Sequence, residues 1–283
     1  MYFEKIILVG SGDVACFCSN FLNKLAIKHV VIETEQSPLS MLSYSCKKGE
    51  IEKIDLFKYR NLDDAIINLA LGKTLVISAN NRFIFKDCLQ ENITIINFHY
   101  GLIQNYRGMN IPTWVIFNGE KYTGPTWHFV SSAVDAGEII AQDKFEIFNT
   151  DTAFTVTKKN MKLGEELFAK FIQEFLNEPI KFKNNQPLNC KSKVYKSYEL
   201  PNDGVLSISQ NAIAMMRLLR AFDYGKINYV PPLKFYENGV CFDIVDYGFL
   251  DKVAKKRNVD DKILEFIKDK IAFTLILRAK HNF

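Results

Sequence analysis

The sequence predicts an α/β protein, a doubly wound and mostly parallel sheet followed by a small C-terminal α+β domain. Three observations carry that prediction. Apolar runs at 5–9, 30–32, 74–78 and 93–96 have the length of buried strands. Helical periodicities separate them in the alternation that a parallel sheet with crossover helices requires. From 184 to 195 the composition turns to Asn, Gln, Pro, Lys and Ser, a polar linker between a first domain of 1–183 and a second of 184–283.

The first run ends in Gly10-Ser11-Gly12-Asp13-Val14-Ala15 and leads into a helical pattern through Phe17, Phe21, Leu22 and Leu25. Gly10-x-Gly12-x-x-Ala15 approximates a dinucleotide fingerprint, with Glu33 near the position of its ribose contact. Any strand–helix unit needs such a turn, so a structural turn or a phosphate seat at the helix N-terminus competes with that reading. Up to about residue 60 the pattern weakens, with Ser37-Pro38-Leu39-Ser40 and Lys47-Lys48-Gly49 as loops. Residues 62–71 read as a helix, and a short helix near 85–90 precedes the run at Ile93. Segments 122–129 and 139–147 have no helix between them, which predicts antiparallel strands added to the sheet. Thr150 or Asp151 caps a long helix that runs to Pro179. The second domain is expected to hold a helix over 209–222, a hairpin turning at Glu237-Asn238-Gly239, and a final helix from Asp260.

At 48% hydrophobic and 24% charged, the 283 residues suffice for an ordinary buried core. A net charge of +4, with lysines scattered among acids, gives a slight bias towards anionic ligands and no nucleic-acid footprint. The six cysteines form no CxxC and read as reduced thiols of a cytoplasmic protein. The start, MYFEKIILVGSGD, turns polar too soon for a signal peptide, and no uncharged apolar run is long enough to span a membrane.

The candidate chemistry lies between Asn97 and Gly137. Asn97 and His99 sit two apart at the end of an apolar run, so they project from one face of a strand's carboxyl end, where open α/β sheets place their ligand crevice. Asp135 occupies a Val134-Asp135-Ala136-Gly137 turn, and Gly137 permits a tight loop that returns the carboxylate to the imidazole. His29 at a strand start and His281 in the tail read as structural or surface residues. His128 reads equally as a hydrogen-bonded core residue. With no HxH, HExxH, CxxC or GxSxG pattern, neither a metal nor a serine nucleophile is expected.

The ordered pattern Asn97-Phe98-His99, Tyr106-Arg107-Gly108, Pro112, Gly119-Glu120, Gly124-x-Thr126-x-His128 and Asp135-Ala136-Gly137 resembles the folate-dependent formyltransferases. That family includes methionyl-tRNA, glycinamide ribonucleotide and sugar N-formyltransferases, and the resemblance covers roughly residues 75–180 well. It implies a Rossmann-like formyltransferase fold, 10-formyltetrahydrofolate as co-substrate, and no metal. Carried over by position, Asn97, His99 and Asp135 are the catalytic trio. The segment Ser78–Ile84, with Asn81, Arg82, Phe83 and Ile84 in it, and the loop 131–138, with Val134 and Asp135, line the folate pocket. The substrate side falls to Gly10, Gly12, Tyr100, Tyr106, Arg107 and Trp127, the aromatics offering stacking faces. Where most members follow the histidine with Ser-Leu-Leu-Pro, this chain has Tyr100-Gly101-Leu102-Ile103-Gln104, which weakens a tRNA or glycinamide ribonucleotide assignment.

These residue types suit formyl transfer. An amine attacks the formyl carbon, negative charge develops on its oxygen, and Asn97 and His99 each offer an N–H to it. Asp135 orients the imidazole and favours its charged form, and His99 relays a proton to the leaving nitrogen. Residues 34–50 carry only Lys47 and Lys48, poor for gripping tRNA, and a glycinamide ribonucleotide enzyme has no place for the extra hundred residues. The segment from Arg217 to Gly225 resembles the helix end in the C-terminal extension of sugar-nucleotide enzymes. Arg217 and Arg220 there are either a solvated face or a seat for an anionic partner.

The expectation is therefore a cytoplasmic transferase that formylates a nucleotide-linked amino sugar (UDP- or dTDP-4-amino-4,6-dideoxy type, in surface-glycan or pseudaminic-acid biosynthesis). It needs no nucleic acid and no membrane, and the second domain is compatible with a homodimer. The alternative within the class formylates an aminoacyl group on tRNA or on a carrier protein. Outside it stand a nicotinamide-dependent oxidoreductase and a non-catalytic module of the same fold.

Overall fold

The structure, a computed structural model, describes residues 1–35, 40–183, 192–256 and 258–279. Most of the expected linker, Ser37 to Leu39 of the first expected loop, Cys190 and His281 lie outside the described residues. The chain divides into two compact units. The first comprises Met1–Gly108, Gly124–Phe145 and Lys158–Val194; the second comprises Met109–Thr123, Glu146–Thr157 and Tyr195–Phe283.

The elements follow in order. They begin with β1 (Lys5–Gly10), α1 (Gly12–Lys24), β2 (Val30–Glu33), α2 (Met41–Lys48), β3 (Glu52–Ile54), α3 (Leu62–Leu69), β4 (Thr74–Ala79) and β5 (Ile93–His99). Next come β6 (Arg107–Gly108), α4 (Ile111–Phe117), β7 (Tyr122–Thr123), β8 (Thr126–Phe129), β9 (Ile139–Gln142), β10 (Phe145–Glu146) and α5 (Ala153–Asn177). The last are β11 (Val194–Tyr195), β12 (Val205–Leu206), α6 (Ala212–Ala221), β13 (Lys234–Glu237), β14 (Val240–Phe249), β15 (Lys262–Lys268) and β16 (Ile271–Ala279).

The first unit is built on a seven-stranded sheet of order β3-β2-β1-β4-β5-β8-β9. The first five strands are parallel, while β8 runs antiparallel to β5 and β9 antiparallel to β8. This is the predicted doubly wound sheet with its antiparallel addition. Alternate residues divide its two faces. Ile96 and Phe98 join Trp127, Phe129 and the α5 residues Phe168, Phe171 and Phe175 in one core. Ile93 and Ile95 join Val76, Leu62, Ala65 and Ile66 in the other, with α3. Asn97 and His99 continue the second row beyond its last isoleucine.

The approach of α5 is set by Gly164. A Cβ there would lie 2.2 Å from the Phe98 ring, so only glycine lets the helix backbone settle on it. The carbonyl of Gly164 in turn accepts the Trp127 indole N–H at 2.9 Å.

In the second unit a five-stranded sheet of order β12-β13-β14-β16-β15 carries α6 on one face. Met215, Leu218 and Leu219 of that helix pack with Phe235, Tyr247, Phe249, Phe273, Leu275 and Leu277. The predicted hairpin joins β13 to β14, with Asn238 and Gly239 at positive φ (49° and 80°) as a two-residue turn demands. Arg220 is buried and donates to the carbonyls of Asp151 at 2.8 Å and Phe148 at 3.4 Å, so it clamps backbone rather than waiting for an anion. The Arg217 guanidinium lies over Gly119, whose added Cβ would meet it at 2.2 Å.

Two expected helices are replaced. The helix from Asp260 is instead the antiparallel pair β15–β16, turning at Asp269-Lys270 with φ of 49° and 68°. The period there is two: Phe273, Leu275 and Leu277 are all buried and share one face. The short helix at 85–90 is a series of turns, because the buried Asp63 carboxylate accepts the N–H groups of Lys86, Asp87 and Cys88 at 3.2–3.4 Å. Two helices, α2 and α4, appear where none was expected. Among the described residues no helix is long and apolar enough to cross a membrane.

Candidate active site

The site begins with one row across three neighbouring strands. The registers Ser78↔Asn97 and Asn97↔His128 set the three side chains abreast on β4, β5 and β8. Trp127 and Phe129 pack into the α5 core, so His128 between them faces the other way, towards the side of Asn97 and His99. The Ser78 hydroxyl donates to Asn97 Oδ1 at 2.8 Å, and Asn97 Nδ2 donates to His128 Nε2 at 3.3 Å. His128 Nδ1–H then goes to the Phe129 carbonyl at 2.8 Å, which fixes the ring's tautomer.

Asp135 is returned to this face by the loop 130–138. The loop leaves alongside β5, with Val130 N–H on the Ile95 carbonyl at 2.8 Å. It closes at Gly137, where a Cβ would lie 1.7 Å from the Phe129 carbonyl oxygen, a contact no other residue tolerates. Asp135 itself sits at φ 43°, a left-handed conformation that aspartate enters more readily than most residues. The Arg107 guanidinium grips the Val134 carbonyl through Nε at 2.9 Å and a terminal nitrogen at 2.5 Å.

Held in this way, the carboxylate serves two rings. Asp135 Oδ2 accepts the Gly108 N–H at 2.7 Å and faces His99 Nδ1 at 3.4 Å, while Oδ1 faces His128 Nε2 at 3.5 Å. Burial pushes the carboxyl up, but positive charge taken up by the His99 or His128 ring, together with the Gly108 N–H, outweighs it and holds Asp135 well below the usual carboxylate range. For His99 burial dominates and lowers the imidazole below its ordinary value, with Asp135 pulling the other way. A neutral ring must place its proton on Nε2, because that atom lies 2.9 Å from the Tyr106 carbonyl, which can only accept. Its Nδ1 lone pair is left facing Asp135.

The arrangement therefore provides a fixed amide, a neutral imidazole beside an ionised carboxylate, and a second imidazole on that carboxylate. Such a set can stabilise a developing oxyanion and take up one proton. The N–H of His99, expected to serve the oxyanion, is directed to Tyr106 instead.

The remaining predicted residues divide. Asn81 forms a turn, its Oδ1 accepting Phe83 N–H at 3.1 Å, and its Nδ2 reaches Ser78 Oγ at 3.5 Å. Phe83 packs with Phe85 and Val130 in the α3-side core, and Arg82 lies 3.7 Å from Glu35. Ile84 (57%) and Val134 (37%) expose apolar surface. Gly10 and Gly12 stand at the same carboxyl end of the sheet, held by packing: a Cβ on Gly10 would lie 1.8 Å from the Ala79 carbonyl oxygen. Glu33 is not free for a ribose, since it accepts from Ser40, from Ser43 at 2.6 Å and from Lys53 at 2.5 Å.

Tyr106 contributes its carbonyl and buries its ring, and Arg107 holds the Asp135 loop. Tyr100 packs edge-on against Phe98 at 4.8 Å. Trp127 is not brought to the site: it is fully buried on the opposite face, which corrects its expected stacking role. Ser78, expected only as the start of the folate segment, enters the site through its hydroxyl, which meets Asn97 and Asn81, and His128 is the larger omission. Among the described residues no group of three or more His, Cys, Asp or Glu is placed to hold a metal ion.

A family model described as formyl transferase matches residues 60–172. The methionyl-tRNA formyltransferase of Alkaliphilus oremlandii is 32% identical over 247 residues, covering 83% of this chain and 77% of the relative. The GDP-perosamine N-formyltransferase of Brucella melitensis is 28% identical over 156 residues, covering 50% of this chain and 58% of that protein. An N-formyltransferase from Helicobacter canadensis, solved in complex with folinic acid and dTDP-3-aminofucose, shares the fold with a TM-score of 0.71. It is 19% identical, and the match covers 97% of this chain and 99% of that one. By the extent of the first of these relatives, and by a site whose parts suit acyl transfer, the chain belongs to the folate-dependent formyl transferase family.

Proposed function

We propose that this formyltransferase moves the formyl group of 10-formyltetrahydrofolate to the amine of a nucleotide-linked amino sugar. The observation that carries the choice of acceptor is the end-to-end correspondence with the H. canadensis enzyme, second unit included. The perosamine enzyme of B. melitensis supports the same class. The paucity of basic residues on α2, where only Lys47 and Lys48 are found, argues against a grip on tRNA. Formylation of an aminoacyl group on tRNA is the second reading, favoured by the A. oremlandii relative.

The surface expected to take the folate is apolar. Exposed Ile84 and Val134 offer apolar walls to a flat ring, and Phe83 and Val130 anchor their two segments in one core on the catalytic face. The folate supplies an activated formyl carbon, and the protein does the rest. Asn97, its oxygen held by Ser78, directs Nδ2–H towards the oxygen on which charge develops. His99 takes up a proton from the attacking nitrogen on Nδ1, where Asp135 Oδ2 at 3.4 Å stabilises the resulting imidazolium. It gives that proton to the folate nitrogen as the bond from that nitrogen to the formyl carbon breaks, releasing tetrahydrofolate and the formylated amine.

Binding separates this reading from a nicotinamide enzyme. At a hundredfold excess over Kd a ligand specific to the native state adds about 2.7 kcal/mol, several degrees in melting temperature. Tetrahydrofolate is expected to give that shift and NADH none. Stabilisation by NADH alone would sink the reading.

A further inference from the structure

Hydrogen bonds around Asn97 run in one direction. Asn81 Nδ2 donates to Ser78 Oγ (3.5 Å), Ser78 to Asn97 Oδ1 (2.8 Å), Asn97 Nδ2 to His128 Nε2 (3.3 Å), and His128 Nδ1 to the Phe129 carbonyl (2.8 Å). Each member has its donor side and acceptor side assigned by its neighbour, and such a chain polarises cooperatively. Ser78 is fully buried on β4, one strand away from β5, and it lies on the path between the 81–84 segment and the amide.

Asn97 has two faces of nearly equal shape, carbonyl and NH2, and only the NH2 end can stabilise an oxyanion. Two groups choose between them: the Ser78 hydroxyl that meets Oδ1 and the His128 Nε2 lone pair that meets Nδ2. We infer that Ser78 is a positioning residue for formyl transfer: its hydroxyl fixes the Asn97 carboxamide so that the NH2 end is the one presented to the reacting carbonyl. His128 occupies one Nδ2 hydrogen, and the other is left for the oxyanion. Without the Ser78 hydroxyl the amide is held from the Nδ2 side alone, at the longer 3.3 Å contact with His128, and the carbonyl end, which repels negative charge, competes for the same place. Asn81 sits upstream, so the segment expected to hold the folate is linked to the amide through this one hydroxyl. The inference rests on Asn97 being the oxyanion donor, and its test separates the two claims.

The test is a double-mutant cycle of Ser78→Ala and Asn97→Ala, read as tetrahydrofolate release with the amine that supports turnover. Ser78→Ala should lower kcat about tenfold, as expected when one hydrogen bond no longer orients the amide. KM for both substrates should stay within about twofold, because ground-state binding does not use the amide's orientation. Ser78→Thr, which keeps the hydroxyl, should recover most of kcat. Ser78→Ala combined with Asn97→Ala should be no slower than Asn97→Ala alone.

An active Asn97→Ala enzyme would overturn the donor assignment and the inference with it. A crippled Asn97→Ala enzyme whose loss adds to that of Ser78→Ala, or a Ser78→Ala enzyme with wild-type kcat or with KM alone raised, would overturn the role of Ser78 by itself. Independently of any amine, the nitrogen-15 resonance of His128 Nε2 should move towards that of a free lone pair in Ser78→Ala as the Asn97 N–H leaves it. An unchanged resonance would also overturn the inference.

Discussion

Asp135→Asn is expected to lower turnover by on the order of 10³-fold while leaving the melting temperature within a few degrees of wild type. The amide is nearly the same shape as the carboxylate. Its oxygen can still accept the Gly108 N–H, now at 2.7 Å, and its NH2 takes the place of Oδ1, 3.5 Å from His128 Nε2, where it meets a lone pair shared with Asn97 rather than a clash. The loop, closed by Gly137 and gripped by Arg107, has no cause to open. What disappears is the negative charge 3.4 Å from His99 Nδ1, the group that makes a proton there acceptable in a buried site.

The same substitution carries a pH signature. Burial sets the His99 imidazole below its ordinary value of 6.5, so activity in the wild type should fall only as pH drops below that value and the ring becomes charged before substrate arrives. Asp135 acts on His99 in the opposite sense, raising it. Its neutralisation should therefore move the acid limb of kcat/KM to still lower pH. A limb that moves up, or a variant with near-native turnover, would remove Asp135 from the mechanism.

Asn97→Ala is expected to lower kcat by about 10²–10³-fold with little change in KM, the scale of losing one preorganised oxyanion donor. It also has a structural cost. The Ser78 hydroxyl loses its acceptor and His128 Nε2 its donor, two buried groups at about 1–3 kcal/mol each where water cannot replace the partner. Kinetics measured well below the melting temperature separate the two effects. An increase confined to KM would show that the amide binds substrate rather than the transition state.

Asn97, His99 and Asp135 were legible because their cues are local. An apolar run that turns polar every second residue marks a strand leaving its core, and Val-Asp-Ala-Gly marks a tight turn. The role of His128 was not legible, because it depends on register. A shift of one residue in the β5–β8 pairing would exchange His128 and Trp127 between faces, and no property of Thr126-Trp127-His128 chooses between them. Trp127 was misplaced for the same reason. Ser78 was expected only as the start of the folate segment, and its tie to the amide depends on the neighbouring strand that supplies Asn97 Oδ1.

The fold was legible where period and length agreed, as in β1, β4, β5 and α5. It failed at the end of the chain, where Ile263, Leu264, Phe266 and Ile267 place apolar residues on both sides of β15 and blur the two-residue period. It failed also over α2, whose eight residues carry only Leu42 and Cys46 as buried positions, too few for a helical stripe.

The most direct measurement follows a labelled formyl group. The enzyme is given 10-formyltetrahydrofolate carrying carbon-13 in the formyl group, together with UDP-, dTDP- and GDP-linked amino sugars and methionyl-tRNA in one mixture, and the products are separated and weighed. The label is predicted on the amine of one nucleotide-linked sugar, at a rate that Asn97→Ala and Asp135→Asn each lower by about a hundredfold or more. Label on the aminoacyl group of the tRNA would contradict the acceptor assigned here, and transfer to a sugar by the Asn97→Ala enzyme at the wild-type rate would contradict the site.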